Sequence, residues 1–284
     1  MNLSIAYAVV AMVCYGVSDF VYKRAAGEGI RANHFLMVQA WFFCPLVILY
    51  ALVTRSFVPD WAALWGSLAG AFVFIGFYFF IRSLASGSVS TNASIFRLNF
   101  VVTALLAIAL LGETVTPAKV VGLTLALAAT WLLLGTPGSA PIRDDSTRQS
   151  LIEVGIATLA FGASNFFHTV GLRHGAVPET LVVAQAALFM PLATAVVYVG
   201  ERSLRPPPTS FKYGAIAAVV LLGATVCLLR SVARGQASAL VPITQMGFVV
   251  AALLGIVVLR ESVSLRKGVG LAAAVAALAT LAAS

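Results

Sequence analysis

Residues 82–123 read RSLASGSVSTNASIFRLNFVVTALLAIALLGETVTPAKVVGL, and residues 230–271 read RSVARGQASALVPITQMGFVVAALLGIVVLRESVSLRKGVGL. The two stretches align without a gap when the second is shifted back by 148 positions. Two apolar helices can match through composition alone, but composition does not place charged and small residues in register. The residues that recur in register include Arg82 and Arg230, Gly87 and Gly235, Glu113 and Glu261, Lys119 and Lys267, and Gly122 and Gly270. The chain therefore contains an internal duplication.

The preceding part of each copy also recurs, now at an offset of 146 positions. The change of offset fits a short loop insertion near residues 202–204. The matched pairs are Gly16 and Gly162, Ser18 and Ser164, Phe20 and Phe166, Gln39 and Gln185, Phe43 and Phe189, and Pro45 and Pro191. The duplication thus covers nearly the whole chain.

The composition indicates a membrane protein. Of the 284 residues, 61% are hydrophobic and 10% are charged, whereas about 25% of the residues of an average soluble domain are charged. Apolar runs of about 20 residues, the length that crosses a bilayer as a helix, recur along the chain. The sequence lacks the polar–apolar alternation of a membrane β-barrel. It predicts an all-α polytopic membrane protein with ten transmembrane helices, at residues 3–24, 33–54, 61–83, 91–111, 118–135, 150–172, 178–199, 212–232, 239–259 and 266–283.

These ten spans divide into two halves of five, residues 1–135 and 150–284, joined by a polar linker at 136–149 that reads TPGSAPIRDDSTRQ. Because five is an odd number, the second half must enter the membrane from the opposite side. We therefore predict inverted repeats related by a two-fold axis in the membrane plane, an arrangement that many secondary transporters share.

The net charge of +8 has a topological explanation. Most of the Lys and Arg residues lie in the odd-numbered loops between spans, where they orient the chain in the membrane. We expect no nucleic-acid partner. By the positive-inside rule, the odd-numbered loops face the cytoplasm and both termini face outside.

No catalytic constellation is recognisable in the sequence. The three histidines, His34, His168 and His174, are not at metal-ligand spacing, and neither a phosphate-binding loop nor a dinucleotide-binding glycine motif occurs. We expect no enzyme activity, no metal and no cofactor.

Two charged residues at membrane depth carry the functional hypothesis. Asp19 lies toward the end of span 1 and Arg97 lies within span 4. A charge near the bilayer centre costs at least about 3 kcal/mol on insertion scales, so it faces a cavity or a partner. The repeat counterparts, Asn165 and Gln245, are uncharged, as a site for an asymmetric ligand would require. The alternative is a buried ion pair that locks spans 1 and 4 together.

Further polar residues within the spans are predicted to bind substrate with this pair. They are Ser18, Tyr22, Tyr78, Asn92, Asn99, Asn165, His168, Thr244 and Gln245. Ser18 and Tyr22 share one face of span 1 because they are four residues apart. Gln39 and Gln185 are interpreted as structural, since both copies have them.

Two other matched pairs have mechanical interpretations. Pro45 and Pro191 lie mid-span and are predicted hinges because an internal proline removes a helix hydrogen bond, although proline is also an ordinary residue of membrane helices. Glu113 and Glu261 are expected to cap the start of the next helix, with a gating role as the alternative.

The chain resembles the EamA-like branch of the drug/metabolite transporter superfamily. The segments that carry the resemblance are LGETVTP at residues 111–117 and LRESVS at residues 259–264. Arg260 stands where the family has glycine, and Leu265 stands where it has proline. The resemblance implies a multi-pass transporter of the bacterial inner membrane, with a central cavity lined by spans 1, 3, 4, 6, 8 and 9 and with alternating access. It also implies cytoplasmic termini, contrary to the charge distribution.

Together these features predict a secondary transporter that exports small polar metabolites, above all amino acids, with proton coupling left open. The alternatives are a drug, sugar or nucleotide-sugar carrier of the same superfamily, or a membrane scaffold that transports nothing. We expect a small-molecule substrate and the lipid bilayer as partners, and a monomer, with a homodimer as the alternative.

Overall fold

The computed structural model describes residues 3–86, 92, 95–134, 145–202, 204–259 and 265–284. Within these ranges the chain is helical and has no strand, so the expected all-α membrane fold is confirmed. The helices are α1 (Leu3–Gly27), α2 (Ala32–Val53), α3 (Leu64–Ser86), α4 (Asn99–Leu111), α5 (Pro117–Leu134), α6 (Asp145–Arg173), α7 (Pro178–Glu201), α8 (Pro208–Val232), α9 (Ala237–Gln245), α10 (Gly247–Leu259) and α11 (Leu265–Ala282). One turn of 3-10 helix, Trp61–Ala63, precedes α3.

The apolar helices follow the expected spans. Among the described residues, seven helical segments are long and apolar enough to cross a membrane. Three shorter apolar segments, Ile95–Leu111, Pro117–Leu133 and Gly268–Ala282, coincide with the expected spans 4, 5 and 10. Helix α6 begins at Asp145 rather than at residue 150, because the helix continues into polar residues at its start. Most of the predicted linker, residues 136–144, lies outside the described residues.

The expected spans 4 and 9 are each interrupted at one residue, a feature that the apolar pattern did not predict. The interruptions are at Leu98 and Met246, which are equivalent positions of the two repeats. At Leu98 the backbone N–H bonds to the carbonyl of Ile95 at 2.9 Å, and at Met246 the N–H bonds to the carbonyl of Ile243 at 3.2 Å. Both are three-residue rather than four-residue steps, so the α-helical bonding of each span is broken near its middle.

The interrupted spans lie against glycines of the opposite repeat. A Cβ atom at Gly16 would lie 2.4 Å from the carbonyl oxygen of Gly247, and one at Gly162 would lie 2.9 Å from the carbonyl oxygen of Asn99. These glycines are matched across the repeats, and so are the two residues that they contact. The close approach fixes α1 against the start of α10, and α6 against the start of α4.

Helices of each half pack mainly on helices of the other half. Helix α3 packs mainly on α6 and α7, whereas α8 packs mainly on α1 and α2, and α5 packs on α11. Small residues permit these contacts, since a Cβ at Gly66 would lie 2.4 Å from the carbonyl oxygen of Leu181 and one at Gly214 would lie 2.7 Å from Val38 Cγ1. A two-fold relation between residues 1–135 and 150–284 predicts this exchange of partners.

Glu113 caps a helix start, but not that of the next helix as the sequence suggested. Its Oε1 accepts the N–H of Ala237 at 2.9 Å and its Oε2 accepts the N–H of Ser238 at 2.8 Å, so it caps α9 in the other half. The next helix, α5, is capped by Thr116, whose Oγ1 accepts the N–H of Lys119 at 3.2 Å. The expectation was wrong because Gly112, at a φ of 65°, turns the chain away from α5. Glu261 lies outside the described residues.

Candidate functional site

A cavity of about 190 Å³ lies between the two halves and is lined by their membrane-spanning helices. Its wall is largely apolar, with phenylalanines from α3, α6 and α7. The polar residues that line it are Tyr15, Ser18, Asp19, Tyr22, Gln39, Arg97, Ser164, Asn165, His168, Gln185, Thr225 and Gln245. Such a combination of an apolar wall and a few convergent polar groups is typical of a ligand site.

Nearly all lining residues occur as repeat-related pairs. Examples are Ser18 with Ser164, Asp19 with Asn165, Tyr22 with His168, Gln39 with Gln185, and Arg97 with Gln245. The cavity therefore lies where the equivalent surfaces of the two repeats face each other. Wherever the pairs differ in residue type, the two sides of the cavity differ in chemistry.

Asp19 and Arg97 meet in this cavity as an ion pair, in which Nη2 of Arg97 donates to Oδ2 of Asp19. Their side chains are 19% and 20% exposed, so the pair is accessible from the cavity rather than sealed in the protein. Arg97 directly precedes the interruption at Leu98, and Gln245 directly precedes the interruption at Met246. Each interruption is thus adjacent to a polar side chain that lines the cavity.

The side chains of Tyr22 and Gln39 are hydrogen-bonded to each other. The Tyr22 hydroxyl lies 3.1 Å from Oε1 and 3.0 Å from Nε2 of Gln39. Their repeat counterparts, His168 and Gln185, lie close together, but no hydrogen bond of acceptable geometry joins them. Two matched positions therefore differ in whether their polar groups are used within the protein.

Seven of the eleven predicted binding residues line the cavity, and four lie outside it. Asn92 is buried and donates to the carbonyl of Ser83 at 2.7 Å and to Oγ of Ser150 at 2.8 Å. Asn99 donates to the carbonyl of Phe96 across the interruption at 2.8 Å, and Thr244 donates to the carbonyl of Val241 at 2.8 Å. The three side chains thus bond the backbone or tie helices together, which is a structural role.

Tyr78 lies beside a separate small pocket rather than the cavity. It is one residue beyond Phe77, which lines the cavity, and one residue is about 100° around a helix. The Tyr78 ring packs on Phe74 and under the Arg82 guanidinium, whose carbon lies 5.7 Å from the ring centre.

The sequence interpretation missed several lining residues. Gln39 and Gln185 were interpreted as structural, Ser164 was matched with Ser18 but not predicted to bind substrate, and Thr225 was not singled out. The aromatic wall, formed by Phe77, Phe80, Phe96, Phe161 and Phe189, could not be told from lipid-facing aromatics. The matched offset of 146 positions between Gln39 and Gln185 was the available signal, because a cavity between repeats is lined by equivalent residues.

The predicted hinges lie on the outer surface of the helices. Pro45 lies inside α2 and Pro191 inside α7, and both side chains are exposed on the outside of the helix bundle. Both helices continue through the proline. In the described part of the chain, no group of three His, Cys, Asp or Glu side chains could hold a metal ion.

Comparison with known proteins gives a family match for the first half of the chain and a fold for the whole of it. The sequence model of the EamA-like transporter family matches residues 2–135, as the resemblance implied. A solved structure described as "Crystal structure of protein" has a TM-score of 0.81 and 16% sequence identity, over 98% of this chain and 95% of that one. At this identity the similarity concerns the fold alone, and it extends over both halves. No curated protein matches the sequence.

Proposed function

We propose that this chain is a multi-pass membrane transporter of the EamA-like transporter family, whose model matches residues 2–135, and that it carries amino acids through the central cavity. The observation that supports an amino acid is the ion pair of Asp19 and Arg97 in the cavity. The proposed location is the bacterial inner membrane.

The chemistry of the pair matches a zwitterion. The guanidinium of Arg97 presents a planar set of donors that fits a carboxylate, and the carboxylate of Asp19 accepts from an ammonium. While the cavity holds no substrate, the two side chains neutralise each other. A zwitterion exchanges this contact for two equivalent ones, so neither charge is left alone in an apolar environment.

The size and charge of the cavity argue against the other carriers. Pockets for drug-sized ligands have volumes of about 300–1,000 Å³, whereas this cavity has about 190 Å³. A nucleotide sugar or sugar phosphate would require several basic groups, and Arg97 is the basic residue among those that line the cavity. A scaffold without transport would have no use for an accessible ion pair at this depth.

Alternating access would require each half to move relative to the other. The interruptions at Leu98 and Met246 favour this mechanism, because discontinuous spans at the midplane are recurrent in transporters. Each interruption lies next to a lining residue, so a change in its angle would alter the cavity directly. If protons drive transport, Asp19 is the carboxylate that the described lining offers for them.

The test is counterflow in proteoliposomes loaded with a panel of unlabelled amino acids. We expect at least one radiolabelled zwitterionic amino acid to accumulate above the level in empty liposomes and to be displaced by unlabelled substrate. Exchange of a sugar, a sugar phosphate or a cationic drug, with no exchange of any amino acid, would support the rival carriers. Absence of exchange for every compound would support the scaffold.

Replacing both prolines, Pro45→Ala with Pro191→Ala, is expected to slow exchange severalfold and leave substrate affinity within about twofold. Alanine restores the missing hydrogen bond and stiffens α2 and α7. Both prolines are exposed on the outside of the helix bundle, so their removal leaves no internal void. Binding by calorimetry and exchange in proteoliposomes would separate the two effects. An unchanged rate of substrate exchange in the double variant would indicate that the prolines are ordinary packing residues.

A further inference from the structure

The second half lines the cavity with polar groups that the protein itself does not use. Among the described residues, Nδ2 of Asn165, both ring nitrogens of His168, Oε1 of Gln185 and Oγ of Ser164 have no hydrogen-bond partner. Asn165 is 6% exposed, His168 4% and Ser164 1%. All four residues line the cavity, so their free groups are available to a molecule inside it.

Such groups are costly unless water or a ligand in the cavity bonds them. Natural proteins pair the large majority of their buried polar atoms, and unpaired ones are uncommon. Each of these residues could have been apolar, as Leu221 and Leu228 are in the same wall. The first half shows the usual outcome, since Tyr22 and Gln39 pair with each other and Asp19 pairs with Arg97. Oγ of Ser18 is also unpaired, but the other unpaired atoms of the cavity wall belong to the second half, the side that carries no charge.

The unpaired groups have a definite complement. Asn165 offers an N–H donor from α6, and Gln185 offers a carbonyl acceptor from α7. His168 can contribute both kinds of group, because a neutral imidazole has one donor and one acceptor nitrogen. A group that presents a carbonyl and an amide N–H side by side would satisfy both helices. A carboxylate has no donor for Oε1 of Gln185, and an ammonium has no acceptor for Nδ2 of Asn165.

We infer that Asn165, His168 and Gln185 form a side-chain subsite that selects amino acids carrying a carboxamide. The inference rests on the proposed function, in which Asp19 and Arg97 hold the ammonium and the carboxylate of the same molecule. Each of the repeat-related halves then recognises a different part of the substrate. The charged half binds the backbone part of any amino acid, and the uncharged half distinguishes one side chain from another.

Ligand affinities of the purified, full-length protein test this inference. Glutamine and methionine have side chains of similar length, but only glutamine carries the carboxamide. We expect the wild-type protein to bind glutamine about tenfold or more tighter than methionine, the effect of one well-made hydrogen bond. Asn165→Leu and Gln185→Met are each expected to remove most of that ratio by weakening glutamine binding, with methionine binding unchanged or stronger.

Gln149→Met is the matched control, because it makes the same side-chain change at an exposed position of α6 outside the cavity, where Gln149 donates to Glu153 at 3.0 Å. It is expected to leave the ratio of the two affinities unchanged. A second readout is the melting temperature without ligand, which Asn165→Leu is expected to raise, since it removes an unpaired buried donor. A structural role for Asn165 predicts a lower melting temperature instead.

The outcomes distinguish the two proposals. Equal affinity for glutamine and methionine in the wild-type protein would overturn the subsite and leave the amino acid transporter intact. Binding of neither ligand, nor of any other amino acid, would overturn the proposed function together with the subsite. Because the wild-type ratio is decisive, the inference stays falsifiable even if one of the variants fails to fold.

Discussion

Arg97→Gln is expected to lower substrate affinity about 100-fold and to abolish measurable transport. Two hydrogen bonds from a guanidinium to a carboxylate are each worth about 1.5–3 kcal/mol, and about 1.4 kcal/mol corresponds to a factor of ten. Glutamine is the residue at the equivalent position of the second repeat, Gln245, where it lines the same cavity. The substitution therefore introduces a side chain that this fold already accommodates there. Calorimetric titration of folded protein gives the affinity, and counterflow gives the transport.

A double variant separates binding from folding. Arg97→Gln alone leaves Asp19 as an unpaired charge, which destabilises the protein. Adding Asp19→Asn makes both positions match the second half, and removal of both charges is often neutral or stabilising. We expect the double variant to regain wild-type thermal stability and to remain unable to bind substrate. Wild-type affinity in either folded variant would identify the ion pair as a structural lock between spans 1 and 4.

Two further substitutions control for charge and for general effects. Arg97→Lys keeps the positive charge but loses the planar pair of donors, so we expect it to recover little binding. Arg31→Ala removes another arginine–carboxylate contact, the 2.8 Å pair with Glu201, whose arginine side chain is 65% exposed. An exposed pair of this kind contributes about 0–1 kcal/mol, and transport should be close to wild type.

The repeat made much of the site predictable from sequence. The offset of 146 positions paired Asp19 with Asn165 and Ser18 with Ser164, and all four of these residues line the cavity. Arg97 could be identified because a charge at membrane depth is costly and therefore faces a cavity or a partner. Length and apolarity were sufficient for the helices, because a bilayer permits few other structures.

The interruptions in spans 4 and 9 were not predictable from local sequence. Leu98 and Met246 are both good helix formers, and no glycine or proline stands at either position. Directly after its interruption each span packs closely on a glycine of the other repeat, span 9 on Gly16 and span 4 on Gly162. A sequence pattern indicates which helix faces are apolar, but it does not indicate where the other repeat packs against them.

Polarity within a span also failed to distinguish the cavity from the packing. Asn92, Asn99 and Thr244 satisfy backbone carbonyls, a use that needs no cavity. The distinction depends on which partner a side chain meets, and that partner is frequently a residue of the other half. Glu113 is a further example, since its partners at residues 173, 237 and 238 are far from it in sequence.

Glu113 joins three chain segments at the end of the bundle that holds the loops after spans 4, 6 and 8. Besides capping α9, its Oε1 accepts from Nη2 of Arg173 at 3.0 Å, and Nη1 of Arg173 donates to the carbonyl of Leu111 at 2.6 Å. The Glu113 side chain is 1% exposed. A buried carboxylate from the first half therefore holds a helix start and a cation of the second half.

Glu113→Gln is expected to reduce transport about tenfold or more by loosening this end of the bundle. The amide keeps the size of the side chain, but it turns an N–H₂ group toward one of the two backbone N–H groups and loses the ionic attraction to Arg173. Each hydrogen bond to a charged group is worth about 1.5–3 kcal/mol, enough to change the population of a closed state by tenfold. Hydrogen exchange of the first-turn amides of α9, Ala237 and Ser238, should accelerate along with the loss of transport.

Thr114→Val is the control for this region, since the hydroxyl of this neighbouring residue makes an exposed, 3.3 Å contact with Gln236. The Thr114 carbonyl, which accepts from Nζ of Lys119 at 2.6 Å, is kept in the variant. The substitution should change neither exchange of the α9 amides nor transport by more than about twofold. Faster hydrogen exchange in Glu113→Gln without loss of transport would make Glu113 a static cap of α9. Faster hydrogen exchange together with loss of transport would make Glu113 a latch, whose contacts at this end of the bundle open and re-form in each transport cycle.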